Sequence, residues 1–261
     1  MNKIEVKNNS IIKMEVDDSI KVETSELLVF NIKVFFNSST TLEIIFDSSE
    51  DSKINMEYYL DQNINVNLYE IRTGLKTKVQ YKYDIAAASK LYLYRFNKCD
   101  HMREVDIISL AGENAIIDFN LRTLSTNKEK YDLYVYHDHK YTTSILNNIG
   151  IALKGNVVFN VTGVVPKGNK GSYLNQNNQI VTSTKEKCQI NPNLLVDEYD
   201  VDANHSAIIG DFNPEEVFYL MSRGINKQEA VKLLSKGLII NNLKDENKKD
   251  LIINYIDEYW R

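Results

Sequence analysis

Thr77-Lys78-Val79-Gln80-Tyr81-Lys82-Tyr83 alternates polar and apolar residues, with Val79, Tyr81 and Tyr83 on one side of an extended chain and Lys78, Gln80 and Lys82 on the other. A period of two marks a half-buried strand, because successive side chains leave the backbone on opposite faces. The same grammar extends outward in both directions. Before it come Leu27 to Phe36, Thr41 to Phe46 and Ile64 to Tyr69; after it come Leu91 to Phe96, Val105 to Leu110, Ile116 to Leu121 and Asp132 to Tyr136. Ile151 to Val165 adds closely spaced short strands, and a polar loop follows from Lys167 to Asn178. With no helical spacing between them, these segments predict a mainly β body up to about Gly210. A sandwich, an antiparallel meander and a β-solenoid all fit the pattern, and without a strict sequence repeat periodicity does not choose among them.

Composition narrows the function more than the fold. The chain has 261 residues, 43% hydrophobic and 26% charged, enough to bury one large core or two modest ones. Only 10 Gly and 3 Pro stand against 16 Tyr, a balance suited to stacked pleated surfaces. A formal net charge of -5 with no long basic run argues against nucleic acid as a partner. No apolar stretch follows Met1-Asn2-Lys3 and no run approaches the ~18 apolar residues of a membrane span, so no membrane partner and a cytoplasmic location are expected. Two cysteines, Cys99 and Cys188, imply reduced thiols and no disulfide framework.

After Gly210 the pattern becomes helical. Asn213 is placed to cap a helix, Pro214 suits its first position, and Glu216 completes a capping box. Val217, Leu220 and Met221 form an apolar stripe, and Gly224 sits where a left-handed stop is wanted. A second helix is predicted from the cap Asn226, with Glu229 in its first turn, Ala230, Leu233 and Leu234 as its stripe and Gly237 as its stop. A third begins near Asp245; Ile252, Tyr255, Ile256 and Tyr259 share one face, which needs a surface to cover on this chain or another. The division expected is a β body over residues 1–210 and a helical region over 211–261.

Few residues offer chemistry. Cys99-Asp100-His101 and His137-Asp138-His139 match no standard zinc spacing and read as loop or surface residues. No phosphate loop, His-Glu-x-x-His or nucleophile elbow occurs, so no enzyme is expected. His205 stands in Asp200-Val201-Asp202-Ala203-Asn204-His205-Ser206-Ala207-Ile208-Ile209-Gly210, at the end of the β body; a single His is more often structural than a ligand.

The stretch onward from His205, through Phe218-Tyr219-Leu220-Met221-Ser222-Arg223-Gly224-Ile225, Glu229-Ala230 and Leu233-Leu234, closely resembles the C-terminal signature of the SufB/SufD family of iron-sulfur cluster assembly scaffold proteins. Val135-Tyr136-His137, Thr142-Thr143-Ser144 and Gly150-Ile151 resemble a second family segment, and Lys187 to Leu195 with Pro192 a third, so the resemblance spans about Tyr131 to Lys236. It implies a right-handed parallel β-helix (β-solenoid) with flanking helices, paired as a SufB-SufD heterodimer or a SufB homodimer. The C-terminal helices would dock a SufC-type ABC ATPase, through Phe218, Tyr219, Leu220, Arg223, Gly224 and Ile225. His205 is the metal-ligand candidate for a transient iron-sulfur cluster at the subunit interface. SufB-type members have a Cys 28 residues before that His and a Glu directly after it; here Asn177 and Ser206 stand at those positions. The resemblance therefore implies a SufD-like, non-catalytic subunit, one shorter than typical members, with little room for their N-terminal helical region. Two rivals stay open: a SufB-like homodimer that holds the cluster itself, and an interaction protein that has lost cluster work.

Overall fold

The computed structural model describes residues 2–26, 29–182 and 188–260. Within them the chain forms β1 (Asn2–Lys7), β2 (Ser10–Glu15), β3 (Ile20–Glu26), β4 (Phe30–Phe36), β5 (Thr40–Ser48), β6 (Ser52–Leu60), β7 (Asn65–Ile85), β8 (Lys90–Leu110), β9 (Ile116–Leu124), β10 (Lys128–His137), β11 (Thr143–Ile151), β12 (Asn156–Val165), β13 (Ser172–Val181), β14 (Gln189–Val196) and β15 (Val201–Gly210), then α1 (Pro214–Ser222), α2 (Lys227–Ile240) and α3 (Glu246–Tyr259). Two parallel stacks coil around one core as a β-solenoid of about seven turns. One stack runs β1, β5, β7, β8, β9, β11, β13, β15; the other runs β4, β6, β7, β8, β10, β12, β14. β2 and β3 pair antiparallel, with β1 and β4, at the N-terminal end.

The long strands β7 and β8 belong to both stacks. Each turns the corner partway along, β7 at Gly74, where φ is +140° and a Cβ would stand 2.2 Å from the Ser48 carbonyl oxygen. Other corners take left-handed backbone without glycine, at Asn63, Ala88, Asn114 and Tyr141, as do Asn8 in the β1–β2 turn and Asn242 between α2 and α3. This is how a chain with so few glycines turns so often. A turn takes 25 residues where Asn65 faces Lys90 but 30 where Thr143 faces Tyr173. The coil repeats in space while the sequence keeps no fixed period.

Val79, Tyr81 and Tyr83 face the core and are buried, while Lys78, Gln80 and Lys82 are exposed. Leu91 to Phe96 departs from such alternation, being buried on both faces. Its outer aromatics, Tyr92, Tyr94 and Phe96, join Tyr69 and Ile71 under Ile239, Leu243, Ile252 and Ile256 of the helical region. The apolar stripe of α3 thus covers the flank of its own solenoid. Helix α2 continues through Gly237 to Ile240, correcting the stop expected at that glycine. Its last carbonyls, which lack partners within a helix, are met from the solenoid: Tyr94 Oη donates to Ile239 O, and Arg122 Nη2 donates to Asn241 O at 3.1 Å. Lys248 of α3 is buried in an ion pair with Glu43 of β5.

Inside the middle turns lies a charged cluster. Buried Arg95 donates to Glu70 and Tyr83, and its Nη1 reaches Glu104 at 2.6 Å and Asp106 at 2.8 Å. The guanidinium lies 3.6 Å from the Tyr81 ring centroid. Burial pushes the Asp106 carboxyl well above the usual carboxylate range against the pull of Arg95. Burial also pushes Glu129 up to about 8, against hydrogen bonds from Thr123 and Tyr131.

Candidate functional site

β14 and β15 are the last strands of their stacks, and among the described residues each pairs along one edge only. The C-terminal end of the coil is consequently an open mouth. In-register parallel pairing puts facing residues on the same side of the sheet, so β15 can be read from β13. Leu174, Gln176, Asn178 and Ile180 of β13 are buried in the interior, and they face Ala203, His205, Ala207 and Ile209. His205 therefore stands on the inner side of the terminal strand, exposed because no further turn covers it. Its ring makes no hydrogen bond or ion pair among the described residues, unlike a packed structural histidine.

Ser206 and Asn177 face each other on the outer side, and Ser206 Oγ donates to Asn177 Oδ1 at 3.2 Å. The bond ends an amide ladder in which Asn177 Nδ2 donates to Asn147 Oδ1 at 3.1 Å and Asn147 Nδ2 to Asn120 Oδ1 at 3.4 Å. The two positions singled out 28 residues before His205 and directly after it are thus neighbours across one strand pair. The terminal strands expose apolar side chains, Leu195 at 58%, Ile208 at 59% and Ile209 at 46%, among polar ones such as Asn191, Asp202 and Asn204.

The helix pair begins beside the mouth. Asn213 caps α1 by accepting from Glu215 N at 3.0 Å, and Asn226 caps α2 by accepting from Glu229 N at 2.9 Å. Gly224 takes φ +86° just past α1, where a left-handed stop belongs. Val217 is buried against Phe212, Val181 and Ala230, with Leu220 and Ile225 packed partly over them. The opposite face is bare: Phe218 is 71% exposed, Tyr219 57% and Met221 44%. Arg223 lies 5.3 Å from the Tyr219 ring centroid. A cleft of about 540 Å³, lined by Gln179, Phe212, Glu216, Leu233 and Leu238 among others, separates α1 and α2 from the end of β13.

The remaining candidates are scattered. Cys99 is buried inside the coil, where burial lifts its thiol to about 12, while His101 of the same strand is exposed. His137 is buried between Thr142 Oγ1 and Ser144 Oγ, each at 2.8 Å, and burial lowers it to about 4. Cys188 is half-buried at the foot of β14, and Lys187 before it lies outside the described residues. No three His, Cys, Asp or Glu side chains come together as a metal site among the described residues. His205 has no second His, Cys, Asp or Glu grouped with it into such a site among the described residues. Sequence reasoning missed the Arg95 cluster and Gln176, the buried amide facing His205; the only available signal for the latter was its place beside Asn177. No helix among the described residues is long and apolar enough to cross a membrane.

Known proteins share sequence with this chain. The chain is 36% identical over 104 residues to the iron-sulfur cluster assembly protein SufD of Bacillus subtilis, covering 38% of this chain and 24% of that protein. It is 26% identical over 156 residues to SufD of Escherichia coli, covering 57% of this chain and 37% of that one. A SufBD family protein of Pyrococcus horikoshii is 41% identical over 68 residues, 25% of this chain and 15% of the relative. These alignments thus take in well under half of each relative's length. The family model described as SUF system FeS cluster assembly, SufBD core domain, matches residues 29–238, which include the mouth, α1 and most of α2. The chain therefore belongs to the SufBD core family of SUF-system iron-sulfur cluster assembly proteins.

Proposed function

We propose that the chain is a non-catalytic, SufD-like scaffold subunit that pairs with a SufB-type subunit through its open mouth and docks a SufC-type ABC ATPase through α1 and α2. The observation that carries this reading is the terminal strand: His205 is exposed on its inner side, and among the described residues both terminal strands have an edge without a strand partner. A bare strand edge beside apolar side chains is a template for another chain. Asn177 and Ser206 supply neither thiolate nor carboxylate, so in this reading the partner contributes the sulfur ligands while His205 offers an imidazole to iron of the nascent cluster, which is the cargo. The bare face of α1, with Phe218 and Tyr219, is a surface of the aromatic type that concentrates binding energy.

Co-expression with a SufB-type chain and a SufC-type ATPase, followed by size exclusion, tests the assembly: both are expected to co-elute with this chain, and retention of neither at any ratio overturns the reading. His205→Ala is expected to spare folding and lower cluster formation; undiminished yield removes His205 from the site. A cluster held by the isolated chain after anaerobic reconstitution would instead favour a homodimeric scaffold.

A further inference from the structure

We propose that Gln176 positions His205: its amide oxygen accepts one ring N–H of the imidazole, fixing the tautomer and leaving the other ring nitrogen's lone pair free at the mouth. The inference rests on His205 being an iron ligand. It begins with a column of residues that face the core on successive turns. Leu42, Leu68, Leu93, Phe119 and Leu146 stand in register, all with 0% exposure. The column then becomes Gln176 and ends at His205. Five apolar side chains show what packing alone places there, so packing does not explain the glutamine.

Gln176 also has 0% exposure, and a buried amide left half unpaired is destabilising. Its Nε2 donates to Asn193 O at 3.2 Å, which fixes the amide's orientation, while Oε1 has no partner. Space for this side chain comes from Gly163, where a Cβ would stand 3.2 Å from Gln176 Nε2 and 2.3 Å from Leu174 Cδ2. Gln176 and His205 face each other in register on neighbouring strands, which lie ~4.8 Å apart. Among the described residues the buried oxygen has no donor, and the imidazole that faces it from the next strand has no partner. Metal-binding imidazoles commonly donate their second N–H to an oxygen, which holds the ring and sharpens its basicity.

Long-range proton-nitrogen spectra of the full chain at pH 8 test the hydrogen bond, with His205→Ala assigning the ring signals. A single tautomer is expected for His205 in the wild type and a mixture in Gln176→Met, which keeps the length and removes the acceptor. An unchanged tautomer in Gln176→Met overturns the proposal. If that variant does not fold, Gln176→Glu retains an acceptor and is expected to keep the single tautomer; a tautomer mixture in folded Gln176→Glu also overturns it. In partner-dependent cluster formation, Gln176→Met is expected to lose about 10-fold. Full yield in His205→Ala is a separate result, which overturns His205 as a ligand without touching the hydrogen bond.

Discussion

Leu93 on β8 and His205 on β15 occupy the same column of the same stack, yet one has 0% exposure and the other is exposed. In the middle of the coil the apolar faces of the strands are covered by the chain itself, and polar side chains such as Lys78, Gln80 and Lys82 are what meets solvent. The inner faces meet across the core, the outer aromatics lie under α2 and α3, and even the guanidinium of Arg95 has its carboxylates. At the C-terminal mouth the same strand geometry leaves backbone edges, apolar side chains and an imidazole that no described residue covers. A solenoid needs each turn to bury its neighbours, so in the proposed reading this end is the surface that takes another chain. Substitutions should therefore act on stability in the middle and on assembly at the mouth.

The largest stability loss is expected from Arg95→Met, which strands Glu70, Glu104 and Asp106 in the core; breaking such a buried pair costs about 3–5 kcal/mol. Chemical denaturation measures it, and a loss under about 1 kcal/mol would show that the cluster is not held by its cation. Lys248→Met comes next, near the low end at about 3 kcal/mol, because Lys3 remains 3.6 Å from Glu43. Limited proteolysis should find α3 released first; a variant as protected as the wild type would mean that apolar packing alone holds the helix.

A smaller effect follows from Glu129. Its folded value of about 8 lies above the ordinary 4.5, so its contribution is fully present below about 4.5 and is lost as pH rises through about 8. Thermal midpoints should fall between pH 6 and pH 9, with part of the fall removed in Glu129→Gln and the rest left to Asp106, which is raised in the same direction. An identical slope in the variant would mean that Glu129 is not the titrating group. Least of all for stability, Ile208→Asp and Phe218→Ser should change unfolding by no more than about 0.5 kcal/mol. The first should lose the SufB-type partner and the second the ATPase. Normal co-elution of both partners with both variants would contradict the contrast between mouth and middle.

The strands were legible because alternation such as Val79, Tyr81 and Tyr83 reports burial on one face, and the helices because Asn213, Asn226 and Asp245 cap where caps are needed. The solenoid was legible only through resemblance, since turns of 25 and 30 residues leave no repeat to detect. Periodicity could not show that Arg95 turns inward, because Leu91 to Phe96 is buried on both faces and its outer cover lies some 150 residues on, as in the bond from Tyr92 Oη to Asn242 O. Gly237 misled because its place in α2 is decided by Tyr94 and Arg122, which no local pattern reveals. Asn177 and Ser206 could be named only through the family resemblance, and only the register shows that they touch and that His205 faces the inside of the coil.

Hydrogen exchange across the chain, with and without a SufB-type partner, tests the central claim most directly. The account predicts that amides of Val201–Gly210 and Gln189–Val196 gain protection on binding while those of β7 and β8 stay as they were. A stable complex that leaves both terminal strands exchanging as in the free chain would contradict it.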